Sequence, residues 1–284
     1  MQIIEQIAGM RAWSAGERRL ARRIVFVPTM GSLHDGHLCL VRDARTRGDR
    51  VVVSIFVNPM QFGPSEDFAK YPRDLQRDRA MLESLEVDVL FHPTVAEIYP
   101  DGYQTYIEVE NLSLPLCGMV RSGHFRAVAT VVTKLFNIVQ PHVAIFGDKD
   151  FQQLQVVRRL VRDLSMDIDI VGHPIVREAD GLAMSSRNAY LTADERRAAV
   201  CLSRALSKAE KLVGCGETAA TALLHAVTVT IAQEPLAQME YAKLCDPESL
   251  HEVDQVRGAA VLALAVRFGR ARLIDNRIIK ISRK

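Results

Sequence analysis

The fold is decided by the stretch Val27-Pro28-Thr29-Met30-Gly31-Ser32-Leu33-His34-Asp35-Gly36-His37. An apolar run at residues 24–27 precedes it and predicts a buried strand, and a helical pattern of apolar residues follows it from Leu38 to Ala44. Two glycines and two histidines therefore fall at a strand-to-helix turn. A helix start offers free backbone N–H groups and the positive end of the helix dipole, which together favour an anion.

The residue types at this turn suit a phosphate. Gly31 and Gly36 carry no Cβ, so the backbone can approach an anion closely. His34 and His37 are three residues apart and can direct two imidazoles at one point. The turn matches neither the GxxxxGK[ST] phosphate loop nor the GxGxxG dinucleotide motif. An alternative stays open, in which a histidine at a helix start only caps the helix or lies in solvent.

Composition places the chain among ordinary globular enzymes. It has 284 residues, 48% hydrophobic and 25% charged, with a formal net charge of +2. Near-neutral charge gives no general argument for nucleic-acid or membrane binding. Five dispersed cysteines without a CxxC pair predict small apolar filler in a reducing compartment rather than a zinc site. The N-terminus lacks a signal-peptide pattern, and no run approaches the roughly 20 apolar residues of a membrane span.

Predicted strands alternate with predicted helices through the first two thirds of the chain. The strands are predicted at 24–27, 51–57, 87–91, 143–146 and 168–171, and the helices at 34–47, 74–85, 127–139 and 151–164. Near-continuous apolar strands between helices indicate an α/β fold, a Rossmann-like parallel sheet with helices on both faces.

The pattern changes after Gly181. Helices are predicted at 195–213 and 218–233, and strands at 240–244, 260–268 and 272–275. This part predicts a smaller α+β C-terminal domain. We expect a Rossmann-like ligand-binding domain at 1–175 and the smaller C-terminal domain at 176–284.

Polar residues follow two of the predicted strands, where open parallel sheets bind ligands. Asn58 and Gln61 follow the second strand, and the amide of Gln61 suits a hydroxy acid or a carboxylate. Gly147, Lys149 and Gln153 follow the fourth strand. A lysine near a helix start opposes the usual preference for acids there, which a phosphate would explain. The alternatives are a plain turn at Asn58, and a Lys149 that only pairs with Asp148 or Asp150.

Two further segments could bind anions. Arg121 and His124 precede a predicted helix start. Ser185, Ser186 and Arg187 form a polar loop at the domain junction, where two hydroxyls and a guanidinium could clamp a phosphate. The alternative for this loop is a linker with a helix cap.

Five segments resemble pantothenate synthetases, a family also called pantoate–β-alanine ligases. They are PTMGSLHDGH, NPMQFG, RSGHFRAVATVVTKLFNIVQP, FGDKDFQQL and DGLAMSSRN, in register from the first strand to about Leu191. The resemblance implies the HxGH nucleotidyltransferase superfamily, related to class I aminoacyl-tRNA synthetases. It also implies a cytoplasmic homodimer with a Rossmann-like N-terminal domain and a C-terminal lid, using ATP with Mg²⁺ carried on its phosphates.

The resemblance assigns site residues as well. Binding of ATP is implied for Met30, Gly31, Ser32, Leu33, His34, Asp35, Gly36, His37, Gly147, Asp148, Lys149, Asp150, Val176, Met184, Ser185, Ser186 and Arg187. Binding of pantoate is implied for Gln61 and Gln153, with Gln61 also near β-alanine. Arg121 and His124 would border the pantoate pocket, while Asn58 and Tyr71 are weaker candidates. No residue is assigned to a metal.

Catalytic roles follow from the same resemblance. His34, His37 and Lys149 would oppose charge on the phosphates, with His37 as proton donor. Ser185, Ser186 and Arg187 would hold the departing phosphates. One departure concerns the segment from Cys117 to Phe125, because the family pattern resembles CGASRPGHF and this chain lacks its proline. We expect a looser loop there, with added bulk from Met119 and Val120.

The reaction implied is a condensation of pantoate with β-alanine through a pantoyl adenylate, which releases pyrophosphate and AMP. A cytidylyltransferase that joins a nucleotide to a phosphorylated acceptor would share the HxGH turn but would not need the paired glutamines. A nucleotide-sensing or RNA-binding module without turnover is a third reading. The near-neutral charge and the set of His34, His37, Lys149 and Arg187 argue against it.

Overall fold

The computed structural model describes residues 1–64 and 66–281. The chain forms two compact units. The first unit comprises residues 1–113, 120–148 and 153–174, and the second comprises 114–119, 149–152 and the chain from 175 onward.

A parallel sheet of six strands forms the centre of the first unit. Its strands are β1 (Gln2–Ile4), β2 (Ile24–Thr29), β3 (Arg50–Ile55), β4 (Val89–Phe91), β5 (Val143–Gly147) and β6 (Asp169–His173). The spatial order is β1-β4-β3-β2-β5-β6. From β2 the chain adds β3 and β4 on one side, and it then adds β5 and β6 on the other side of β2. The direction in which strands are added therefore reverses between β2 and β5.

Helices cover both faces of this sheet. The helices that begin in this part of the chain are α1 (Ile7–Arg19), α2 (Asp35–Arg45), α3 (Leu75–Glu83), α4 (Val95–Ile98), α5 (Cys117–Val120), α6 (His124–Val139) and α7 (Phe151–Asp163). Val25 and Val27 share a buried cluster with Leu82 of α3. Phe26 points to the opposite face, where its ring meets Phe136 of α6 edge-on at 6.4 Å. The predicted α/β fold is therefore confirmed.

The second unit contains an antiparallel sheet in the order β7-β8-β9. Its elements are α8 (Ala193–Ala199), α9 (Cys201–Gly214), α10 (Ala220–Ala232), β7 (Gln238–Cys245), β8 (Ala259–Phe268) and β9 (Ala271–Lys280). Leu264 and Phe268 of β8 share one buried cluster with Leu206 of α9 and Leu223 of α10. The predicted α+β character of this part is confirmed.

Several sequence predictions need correction. The helix predicted at 195–213 is two helices that meet at Val200. No glycine or proline lies near Val200. The sequence there therefore gives no sign that the helix ends. The α1 helix was not predicted, since only Met10 and Ser14 of that helix are buried. The three-residue edge strand β1 was not predicted either. The strand predicted at 272–275 extends from Ala271 to Lys280.

The cysteines differ in exposure. Cys117, Cys201 and Cys245 are buried, Cys39 is half-buried, and Cys215 is exposed at the end of α9. The prediction that every cysteine is apolar filler is therefore wrong for Cys215. Across the described residues, no helix combines the length and apolar character needed to cross a membrane.

Candidate active site

The bend between β2 and α2 is fixed by a carboxylate from α3. Asp78 is 1% exposed, and its two oxygens accept hydrogen bonds from the backbone N–H groups of Ser32 at 2.7 Å and Leu33 at 2.8 Å. Burial raises the pKa of Asp78, while the two N–H donors act in the opposite direction. The backbone N–H groups of Ser32 and Leu33, which precede the start of α2, are therefore bonded within the protein.

The backbone of the bend requires a glycine at its first position. Gly31 has φ +80° and Ser32 has φ +52°, so two successive residues lie in the left-handed region. A Cβ on Gly31 would lie 2.9 Å from Cγ2 of Ile55 and 3.0 Å from an oxygen of Asp78. Leu33 then inserts into the core at 1% exposure. The Asp78 hydrogen bonds and the buried Leu33 side chain thus hold the bend directly before His34.

His34 and His37 form a ring pair at the start of α2. Their ring centroids are 4.1 Å apart with an interplanar angle of 39°, and both residues are half-buried. The N–H of His34 donates to Nδ1 of His37 at 3.4 Å. In a neutral ring an accepting Nδ1 leaves the proton on Nε2, so His37 presents Nε2–H as a donor. The pair can offer hydrogen-bond donors to an anion at the carboxyl end of β2.

Gln61 lies beside this bend. Its Nε2 donates to Sδ of Met30 at 2.7 Å, and its Oε1 accepts from Nδ2 of Asn58 at 3.2 Å. Asn58 is fully buried. Its Nδ2 also donates to the carbonyl of Ala127 at 3.4 Å, and its Oδ1 accepts from the hydroxyl of Tyr99 at 3.0 Å. The Asn58 amide thus holds the Gln61 side chain from within the core.

Arg121 and His124 hold the backbone of Gln61. Nη1 of Arg121 lies 2.9 Å from Nε2 of His124, and since arginine only donates, that nitrogen accepts. Nδ1–H of His124 then donates to the carbonyl of Gln61 at 2.9 Å, and Nη2 of Arg121 donates to the same carbonyl at 3.2 Å. The guanidinium also makes a two-point bond to Glu66 at 2.7 and 2.8 Å.

The electrostatics of Glu66 follow from this pairing. Burial would raise the pKa of its carboxyl, but the hydrogen bonds and charge of Arg121 outweigh it and lower the pKa below 4.5. The two side chains by which this segment departs from the family pattern pack little, because Met119 is 70% exposed and Val120 is 50% exposed, while the looser loop stays a prediction. The expected bulk of these two side chains therefore points to solvent.

The carboxyl end of β5 carries a second polar group. Gly147 ends the strand, and Asp148 begins a 3-10 turn that includes Lys149 and Asp150. Burial raises the pKa of Asp148, and the charges of Arg158 and His173 oppose the shift. Nζ of Lys149 lies 4.0 Å from Oδ2 of Asp150. This loose ion pair fits the alternative interpretation, in which Lys149 only pairs with a neighbouring aspartate. Gln153 lies in the first turn of α7 and is half-buried.

The segment from Val176 to Arg187 forms its own folded loop in the second unit. The N–H of Met184 donates to the carbonyl of Val176 at 3.0 Å, which brings these two residues together. Ser185 caps the 3-10 helix Ser186–Tyr190, because its Oγ accepts from the N–H of Arg187 at 3.3 Å. The cap that the alternative reading describes is present, and the Ser185 hydroxyl keeps its own proton for a further partner.

The sequence-predicted site residues fall into two groups. The first unit gathers Met30, His34, His37, Asn58, Gln61, Arg121 and His124 around the β2–α2 bend, and it also holds Gly147, Asp148, Gln153 and the buried Tyr71. The second unit holds Lys149, Asp150, Val176, Met184, Ser185, Ser186 and Arg187. Their roles toward ligands stay predictions.

Three acidic residues that bond to candidate site residues or to the loop beside them were not predicted from the sequence: Asp78, Glu66 and Asp275. The burial of Asp78 could have been predicted. It lies one helical turn before the fully buried Leu82 and so falls on the apolar side of α3. Glu66 lies in a loop and gave no signal. Asp275 lies in the middle of β9, where an aspartate is an unusual strand residue.

A metal site is not built from the described residues. Within residues 1–64 and 66–281, no group of three or more His, Cys, Asp or Glu side chains is arranged to hold a metal ion. The Mg²⁺ that the resemblance implies, carried with the ATP phosphates, stays a prediction.

The chain matches known proteins over nearly its whole length. The family model described as pantoate-beta-alanine ligase matches residues 2–278. A pantothenate synthetase from Heliobacterium modesticaldum is 56% identical over 99% of this chain and 100% of its own length. One from Geobacter sulfurreducens is 54% identical over 98% of this chain and 99% of its own.

Solved structures agree with these sequence matches. A pantothenate synthetase from Thermus thermophilus superposes with a TM-score of 0.93 at 46% identity, covering 98% of this chain and 99% of that one. A pantoate-beta-alanine ligase from Francisella tularensis, complexed with beta-gamma ATP and beta-alanine, gives a TM-score of 0.81 at 34% identity. That match covers 98% of this chain and 97% of the other.

Proposed function

The chain belongs to the pantoate–β-alanine ligase family, and we propose that it condenses pantoate with β-alanine through a pantoyl adenylate. ATP is the activating substrate and leaves as AMP and pyrophosphate. No protein nucleophile takes part, so catalysis rests on positioning and on stabilising charge.

In the first half-reaction a carboxylate oxygen of pantoate attacks the α-phosphorus of ATP. The bond between that phosphorus and the bridging oxygen to the β-phosphate breaks, and pyrophosphate leaves. Two anions meet in this step, so donors near the phosphates lower its barrier. His34 and His37 act from the α2 start, and His37 uses its Nε2–H. Lys149, Ser185, Ser186 and Arg187 hold the phosphates that depart.

In the second half-reaction the amine of β-alanine attacks the acyl carbon of the adenylate. The bond from the acyl carbon to the phosphate oxygen breaks, AMP leaves, and the amine gives up one proton as the amide forms. Gln61 and Gln153 bind pantoate through amide groups, which can donate to a carbonyl and accept from a hydroxyl. Magnesium enters only as a companion of the ATP phosphates.

The observation that carries the proposal is the His34–His37 ring pair at a bend whose Met30 accepts a hydrogen bond from the Gln61 amide. The pair follows β2 at the point where the strand order reverses toward β5, and open α/β sheets bind their ligands at such a point. A donor pair for phosphate thus follows a bend that contacts an amide suited to a hydroxy acid.

Two assays test the proposal. AMP formation from ATP should require both (R)-pantoate and β-alanine. Exchange of labelled pyrophosphate into ATP should require pantoate alone, because the adenylate forms before β-alanine reacts. Turnover with CTP in place of ATP, or without pantoate, would favour a cytidylyltransferase. Binding of ATP with no AMP formation would favour a nucleotide-sensing module.

The resemblance also leads us to propose a homodimer in the cytoplasm. Light scattering of the purified protein should give twice the 31.7 kDa chain mass. A monomer at micromolar concentration would exclude the dimer. Fractionation of the source cells tests the location.

A further inference from the structure

Two consecutive polar residues lie buried in the middle of β9. Asp275 is 2% exposed and Asn276 is 6% exposed. Both residue types are depleted in strands, so their placement here calls for a reason other than strand formation. Neighbouring strand residues point to opposite faces of a sheet. The pair can therefore contact two different segments of the second unit.

Asp275 holds the base of the Val176–Arg187 loop. Its two oxygens accept from the guanidinium of Arg177 at 2.7 and 2.8 Å. The same guanidinium donates to the carbonyl of Gly181 at 2.9 Å, and Arg177 pairs with Ala183 in an antiparallel bridge. The loop is closed by this ion pair directly before Met184.

Asn276 holds the backbone of Lys149. Its Nδ2 donates to the carbonyl of Lys149 at 3.0 Å. The N–H of Asn276 also donates to the Asp275 carboxylate at 2.8 Å, which links the two contacts. One dipeptide thus touches the two segments of the second unit that we assign to the phosphates of ATP.

We propose that Asp275 and Asn276 are positioning residues that set the phosphate-binding groups of the second unit in register. Asn276 acts through Lys149, and Asp275 acts through Arg177 on the loop that carries Ser185, Ser186 and Arg187. This inference rests on the proposed function, because only that function makes Lys149 and Arg187 phosphate ligands. A purely structural role predicts no difference between nucleotides with one phosphate and with three.

The first test measures binding of α,β-methylene-ATP and of AMP by calorimetry. Asn276→Ala should weaken the triphosphate analogue about fivefold, as the loss of one hydrogen bond implies, and should leave AMP within about twofold. In a Lys149→Met background the same change should cost less than about twofold, because the ammonium group that Asn276 positions through the backbone is already gone. A full loss in that background, an equal loss for AMP, or no loss at all would overturn the role of Asn276.

The second test treats the ion pair as a unit. Asp275→Ala alone would leave Arg177 partly buried without its partner and destabilise the fold. The double substitution Arg177→Met/Asp275→Asn removes both charges together with little change in side-chain volume. It should weaken the triphosphate analogue about fivefold, and it should add little in an Arg187→Gln background. Unchanged affinity, or a full loss on top of Arg187→Gln, would overturn the role of Asp275.

A control on the same strand completes the design. Arg277 contacts Ser207 and Glu210 of α9, so Arg277→Gln disturbs β9 without touching a phosphate-binding segment. It should shift thermal unfolding and leave both affinities unchanged. If it weakens the triphosphate as Asn276→Ala does, general disturbance of β9 explains the effect. Pantoate-dependent pyrophosphate exchange by the wild-type chain is measured first, and its absence would refute the proposed function instead.

Discussion

The carboxylate of Asp78 and the backbone N–H of Ser32 are joined by a hydrogen bond of 2.7 Å. Together with the hydrogen bond from Leu33, it occupies two backbone N–H groups of the β2–α2 bend. His34 and His37 follow these two residues directly, and we propose that their imidazoles supply donors to an anion at this bend. The Asp78 carboxylate thus holds the backbone directly before the two histidines.

Asp78→Ala should damage both stability and catalysis. Two N–H groups in a buried bend would lose their acceptor, which costs about 1–3 kcal/mol for each group left unsatisfied. We expect a lower free energy of unfolding in urea and at least a tenfold slower pyrophosphate exchange, since displaced catalytic groups lose rate steeply.

Asp74→Ala is the matched control on the same helix. Asp74 caps α3 by accepting from the N–H of Arg77 at 3.0 Å. Its loss should cost about 1 kcal/mol of stability and leave the exchange rate near that of the wild type. Normal exchange in Asp78→Ala would show that the bend keeps its shape without the carboxylate.

His37→Ala should lower the rate of pyrophosphate exchange by about 10²–10³, the usual loss for one donor to a developing oxyanion. His34→Ala should give a smaller loss, because the proposed donor Nε2–H belongs to His37. His225 is exposed on α10, and His225→Ala provides a histidine control at the wild-type rate. Exchange at near-normal rate in His37→Ala would remove its catalytic role.

Lys149→Met distinguishes the two readings of this lysine. A phosphate ligand should raise KM for ATP and slow exchange by about 10²-fold. A lysine that only pairs with Asp150 across 4.0 Å should change neither quantity, since loose ion pairs near solvent contribute about 0–1 kcal/mol. Lys208→Met removes an exposed lysine of α9 and serves as the control.

The Glu66–Arg121 ion pair gives a pH-dependent stability. Because the folded pKa of Glu66 lies below 4.5, the pair stabilises the fold above about pH 4.5 and loses this contribution as pH falls through the folded pKa. Glu66→Gln should lower the free energy of unfolding by about 1–2 kcal/mol at pH 7. The difference from the wild type should shrink below pH 4.5. A difference that stays constant from pH 7 to pH 3.5 would contradict this account.

Much of the larger sheet could be predicted from local sequence. The strands β2, β3 and β5 are almost fully buried, so each gives a continuous apolar run. Glycines and histidines at the end of β2 mark the bend for the same reason, since they interrupt a strongly apolar pattern. The α1 helix and the split at Val200 were not predictable, because a weak apolar face and an unmarked turn leave no periodic signal.

The support around the candidate site was harder to predict. Asp78 is 46 residues from Ser32 in the chain, and Asp275 is 98 residues from Arg177. Such pairings depend on which helix or strand packs beside which loop, and local periodicity carries no such information. The roles of Arg121 and His124 show the same limit, because their nearest polar partners are Glu66 and the carbonyl of Gln61.

The cysteines differ in exposure, which allows one of them to be labelled selectively. Burial raises the pKa of Cys201 and of Cys245 to about 12, so these thiols should resist alkylation, which needs the thiolate. Cys215 lies exposed at the end of α9 and should react first with a maleimide, as mass spectrometry of tryptic peptides would reveal. A dye attached there would report on the second unit without altering any residue assigned to a substrate.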